Sequence, residues 1–216
     1  MNRFLNTADN HFQFSGKVGG AYTVFEGQPW QLTGGGYFNL NDLPMYPNGC
    51  LPAATPIYFD EETRKVQIHY AFKVAEAVSN KKTVKIAKGY WGSTIKEGMT
   101  LMVAQADVNT AADATYKVDT VDRNNEEYDL VTLSAAITAA ESAVLWEANE
   151  DKKIKVVPNA LTDRDKVRHA EDFMVDCNPV FGSTGAVLIR RIAPITDAVI
   201  KALRENQCYF RFDKHK

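Results

Sequence analysis

Lys65-Val66-Gln67-Ile68-His69-Tyr70-Ala71-Phe72-Lys73-Val74 is the stretch that decides the fold class. Val66, Ile68, Tyr70, Phe72 and Val74 share one phase, and Lys65, Gln67, His69, Ala71 and Lys73 share the other. Successive side chains of an extended chain point to opposite faces, so the alternation predicts a half-buried strand over 65–74. His69 falls on the polar phase and is expected as a surface imidazole.

Strand signals continue on the C-terminal side. Segment 83–87 alternates briefly and ends at Lys88-Gly89, and 100–103 follows the turn signal Glu97-Gly98. Segments 116–121 and 129–133 flank Arg123-Asn124-Asn125-Glu126, a hairpin turn because Asn tolerates positive φ. The alanine-rich stretch 134–142 reads as one short helix or a wide turn. Segments 144–148 and 154–157 complete a middle zone of short strands. Farther on, 173–177 and 185–189 read as strands separated by a turn cluster over 178–184. A helix is expected over about 194–205: Pro194 suits a first helical turn, and Ile195, Val199 and Leu203 recur at helical spacing. A final strand over 208–212 would close the chain. The expected fold is mainly β (α+β): a small antiparallel β-barrel or sandwich over 57–216, with an extended N-terminal arm and a C-terminal helix.

The arm, residues 1–56, holds eight of the 13 glycines and nine of the 23 aromatic residues but only five charges. A disordered tail would be poorer in aromatics and richer in charge. Its rings therefore need burial, either on the chain's own body or on a partner subunit. Phe12, Phe14, Tyr22, Phe25, Trp30, Tyr37 and Phe38 are the candidate partner-interface residues, since an aromatic ring buries a large area with few rotatable bonds.

Signals for chemistry are weak. A net charge of -2 and a pI near 6.1 argue against a nucleic-acid binder. Cys50, Cys177 and Cys208 are odd in number and widely spaced, as expected of free thiols rather than a disulfide scaffold. His11, His69, His169 and His215 each lack a second His or Cys at metal-site spacing. Gly34-Gly35-Gly36 and Gly16-Lys17 lack the rest of a phosphate-binding loop. Asp119, Asp122, Glu126, Glu127 and Asp129 read as a solvated hairpin tip without the order of a calcium loop. Gly182-Ser183-Thr184-Gly185 reads as a turn and not a nucleophile elbow. No catalytic residue, cofactor or metal is expected. Neither an apolar signal segment at the N-terminus nor a membrane-spanning run is found, so an untargeted soluble protein is expected.

One resemblance adds to these readings. Leu51-Pro52-Ala53-Ala54-Thr55-Pro56 leads into the alternating strand, and Lys88-Gly89 and Ile95-Lys96-Glu97-Gly98-Met99 follow. Residues 128–136, Val156-Val157-Pro158-Asn159-Ala160-Leu161 and Arg190-Arg191-Ile192-Ala193-Pro194-Ile195 come next. In this order, from Gly49 to Leu203, the chain resembles head decoration and head-fibre-like structural proteins of tailed bacteriophages and prophages, especially those of gut Bacteroidales. The resemblance implies a non-enzymatic virion protein, made in the host cytoplasm, that forms a homo-oligomer, often a trimer, on the outer capsid. Its partners would be the major capsid protein or other virion subunits, with no nucleic acid and no membrane. A carbohydrate-binding module of a phage fibre is the alternative, with Trp30, Tyr37, Trp91 or Trp146 stacking on sugars. A hydrolase with a spatially assembled site is a third reading.

Overall fold

The computed structural model describes residues 24–46, 49–89, 91–92 and 94–213. In chain order the strands are β1 (Pro29–Gln31), β2 (Gly36–Phe38), β3 (Pro56–Phe59), β4 (Lys65–Ile68) and β5 (Ala71–Lys73). Then come β6 (Val78–Ala87), β7 (Thr100–Val103), β8 (Tyr116–Asp122), β9 (Tyr128–Ala139) and β10 (Val144–Glu147). The last are β11 (Ala160–Leu161), β12 (Val175–Cys177), β13 (Val180–Leu188) and β14 (Tyr209–Asp213), with helix α1 (Asp197–Glu205) before β14. The protein is mainly β, as its alternating segments predict.

The stretch 65–74 forms two strands rather than one. β4 belongs to an eight-stranded sheet, β5 to a six-stranded sheet, and the chain crosses between them at His69-Tyr70. Both sheets cover the crossing, so His69 is only 3% exposed. The expectation of a surface imidazole is overturned: period two fixes which way a side chain points only while the strand stays in one sheet.

The first sheet runs β1-β13-β11-β3-β4-β2-β12, with β14 also on β13. Its pairs are antiparallel except β2–β4 and β13–β14. The second sheet runs β5-β10-β7-β8-β9-β6 and is antiparallel throughout. It curls until a single bridge, Val74↔Ile86, brings its two edges together. Phe72, Leu101 and Leu145 fill the concave side together with Val84, Val118 and Leu133, and the same core continues to Phe38, Phe59 and Val66 of the first sheet. The alternate residues Ala71, Met102 and Trp146 face the opposite way, into a second core closed by Val199 and Leu203 of α1. With both faces covered, β7 and β10 read as continuous apolar runs rather than alternating ones.

Three local expectations change. Segment 134–142 is neither helix nor wide turn; β9 extends through it to Ala139, because β6 supplies a pairing partner. Lys81↔Ile137 and Val78↔Ala139 hold the register across two bulges, and Asn80 N–H donates to Thr138 Oγ1 at 3.0 Å. The turn cluster at 178–184 is largely strand β13, whose pairing with β14 is irregular between Gly182 and Ala186. The helix begins at Asp197, not near Pro194: Thr196 is its N-cap, with Oγ1 accepting from Val199 N–H at 3.4 Å. From the glycine- and aromatic-rich first zone, β1 and β2 join the first sheet.

Candidate functional site

Two exposed rings, Trp30 and Tyr209, meet where β1, β13 and β14 lie side by side. Trp30 on β1 stands opposite Gly182 on β13, and Gly182 stands opposite Tyr209 on β14. Having no side chain, Gly182 leaves room for the indole to lie across it; a Cβ there would come within 2.5 Å of Trp30 Cε3. The Trp30 and Tyr209 rings sit 6.4 Å apart at 57°, and they are 51% and 66% exposed. Arg211, two residues along β14, shares the Tyr209 face; it is exposed and makes no ion pair among the described residues.

The other sequence candidates are dispersed. Phe25 is half-buried, bridges Val187 and packs against the second core. Phe38 is buried in the first core. Tyr37 faces solvent on β2, between Asp176 and Lys65. Phe12, Phe14 and Tyr22 lie outside the described residues. Trp146 is fully buried, so its ring cannot stack on a sugar, and Trp91 is half-buried over Gly89. Tyr209 was legible only as a strand residue, although the alternation of Tyr209, Phe210, Arg211 and Phe212 carries its outward phase. Phe173, 92% exposed just before β12, gave no signal of surface placement.

A second feature is a groove of about 400 Å³ beside the crossing between the sheets. Lys96 Nζ reaches over it, donating to the carbonyls of Asn41 at 2.6 Å and Asp42 at 2.9 Å, 6.0 Å from the centre of the Tyr70 ring. Tyr70 OH donates to the same Asp42 carbonyl. Burial lowers the Lys96 pKa, and burial together with the Asp42 and Glu147 carboxylates raises that of Tyr70. Elsewhere in the groove Glu147, nearly buried, accepts from Lys155 Nζ at 2.7 Å. Main-chain pairing of Lys155 N–H with the Glu147 carbonyl at 2.9 Å holds these two residues side by side. Gln67 stands exposed at the rim, and Met99 and Val156 give the groove apolar surface.

Against protein-family models, curated proteins and solved structures, the chain has no match.

Several of the remaining buried polar groups are paired with one another. Asp129 points inward from the hairpin and pairs with Lys88 at 3.0 Å, both largely buried. Lys166 pairs with Asp163 at 3.1 Å, and Arg164 and Asn178 also contact Asp163. Burial pushes the thiols of Cys177 and Cys208 up to about 12 and about 11, and that of Cys50 well above its usual value. At neutral pH all three are protonated thiols, poor nucleophiles and poor metal ligands. Among the described residues no three His, Cys, Asp or Glu converge for a metal, and no helix is long and apolar enough to cross a membrane.

Proposed function

We propose that this chain is a non-enzymatic structural protein of a tailed-phage or prophage head that works through protein–protein contact. The partner would be the major capsid protein, another virion subunit or a further copy of the chain. The observation that carries this reading is the exposed Trp30–Tyr209 pair beside Arg211. Trp, Tyr and Arg are the residue types most enriched where binding energy concentrates. Contacts of the indole with Gly182 and Tyr209 restrict it before association, which lowers the side-chain freedom lost on binding. The short strands, the curled antiparallel sheet and the C-terminal helix fit the β-rich module that the sequence resemblance implies. On a capsid, weak single contacts suffice because many linked copies raise the effective affinity.

The test is light scattering on the purified protein, together with co-sedimentation on capsids assembled from the cognate major capsid protein. Wild-type protein should self-associate or co-sediment. Trp30→Ala and Tyr209→Ala should each cost about 2 kcal/mol or more, about 30-fold in affinity. A strict monomer that ignores capsids, or alanine variants that bind like wild type, would refute the proposal.

A further inference from the structure

We propose that the groove between Lys96 and Glu147 is a binding site for a neutral saccharide unit. Its volume of about 400 Å³ lies within the usual size of small-ligand sites, roughly 300–1,000 Å³.

The groups in it are charged, yet their bonding leaves defined vacancies. Of the three protons on Lys96 Nζ, two go to the carbonyls of Asn41 and Asp42, and one remains to donate. No carboxylate lies within ion-pair distance of this ammonium among the described residues. Glu147 Oε1 is engaged by Lys155, while Oε2 has no partner among the described residues. Lys155 keeps further donors, and the Gln67 amide at the rim both donates and accepts.

The lining mixes both signs: Asp42, Glu97 and Glu147 would repel an anion that Lys96 and Lys155 attract, and a cation meets the reverse. A neutral polyol carries no charge to be repelled. Each hydroxyl is at once a donor and an acceptor, so a pyranose can accept from Lys96 and donate to Glu147 in one pose. Met99 and Val156 offer apolar surface for its C–H face. The donors and acceptors are held in place before any ligand arrives: Lys96 by two carbonyls, Glu147 by Lys155 and by main-chain pairing. Such preorganisation raises affinity. This site is separate from the Trp30–Tyr209 face, and either proposal can fail without the other.

The test is an NMR titration of the full chain with methyl glycosides of glucose, galactose and mannose and with N-acetylglucosamine, with glucuronate and glucosamine as charged comparators. At about 10 mM sugar, enough to fill a millimolar site, at least one neutral sugar should shift the amides of residues 67–70, 96–99 and 147–156 saturably. Lys96→Met should weaken that binding by about tenfold or more. Gln67→Ala, at an exposed position on β4, should weaken it as well, and Trp30→Ala should leave it unchanged. The proposal is overturned if no neutral sugar moves these signals or if a charged sugar binds more tightly. Equal binding by both groove variants and wild type would overturn it too.

Discussion

His69 holds a neutral imidazole in the seam between the two sheets. One ring nitrogen bonds to the Val156 main chain, Nε2 has no partner among the described residues, and the ring meets Trp146 edge-on with centroids 6.1 Å apart. Burial, partly offset by the bond to Val156, pushes its pKa down to about 4 from 6.5. The unfolded chain therefore takes up a proton near pH 6.5, whereas the folded chain resists until near pH 4. Stability from this group is fully present above pH 6.5 and is lost as pH falls towards 4, by about 3 kcal/mol in all. Urea unfolding at a series of pH values, compared with His69→Phe, isolates the effect from titrating carboxylates. Wild type should lose this much more stability than the variant between pH 7 and pH 4; parallel curves would mean that the imidazole is not buried neutral.

The three strands under Trp30 show how one absent side chain shapes an element. Replacing a glycine in a strand by alanine at an open site stabilises by roughly 0.5–1 kcal/mol, through the unfolded chain. At Gly182 the new Cβ would lie 2.5 Å from Trp30 Cε3 and 3.1 Å from the Tyr209 carbonyl oxygen. Crowding of this kind costs about 1–3 kcal/mol and outweighs the gain. Gly182→Ala should therefore destabilise, and by less when Trp30 is already alanine; a double-mutant cycle in urea measures the coupling. If the two changes simply add, the indole does not rest on Gly182. The same element marks the limit of what the sequence reveals. β7 was legible because its apolar run follows the turn residues Glu97-Gly98, and α1 because its apolar spacing follows 3.6 residues per turn. The β13 turn signal, Gly182 to Gly185, misleads because the glycines serve close approach: a Cβ at Gly185 would meet Gly27 N at 2.5 Å. Segment 134–139 misleads because alanine carries no strand preference of its own, and β6, some 55 residues earlier in the chain, makes it a strand. Of the candidate surface, Trp30 was legible as an aromatic wanting a partner. Its neighbour Tyr209 was not, since their meeting depends on the parallel pairing of β13 with β14, which no local pattern encodes.

Across the whole molecule, the two cores are joined through shared strands. On β10, Leu145 faces the first core and Trp146 the second; on β7, Leu101 and Met102 divide in the same way. The first core in turn crosses from the curled sheet to Phe38, Phe59 and Val66 of the other sheet, and the second joins both sheets to α1. Neither sheet can open while the other keeps its buried face, so the described residues should unfold as one cooperative unit. Loss of far-UV ellipticity and exposure of Trp146, followed by fluorescence after Trp30 and Trp91 are replaced by Phe, should share one urea midpoint. Leu145→Ala deletes packing in the first core and Leu203→Ala in the second, each at a cost of about 2–5 kcal/mol. If the cores are coupled through β7 and β10, either substitution shifts both probes together, whichever core it touches. Two separated midpoints, or a Leu203→Ala shift seen by Trp146 but not by ellipticity, would divide the molecule into independent halves and break the coupling inferred from its shared strands.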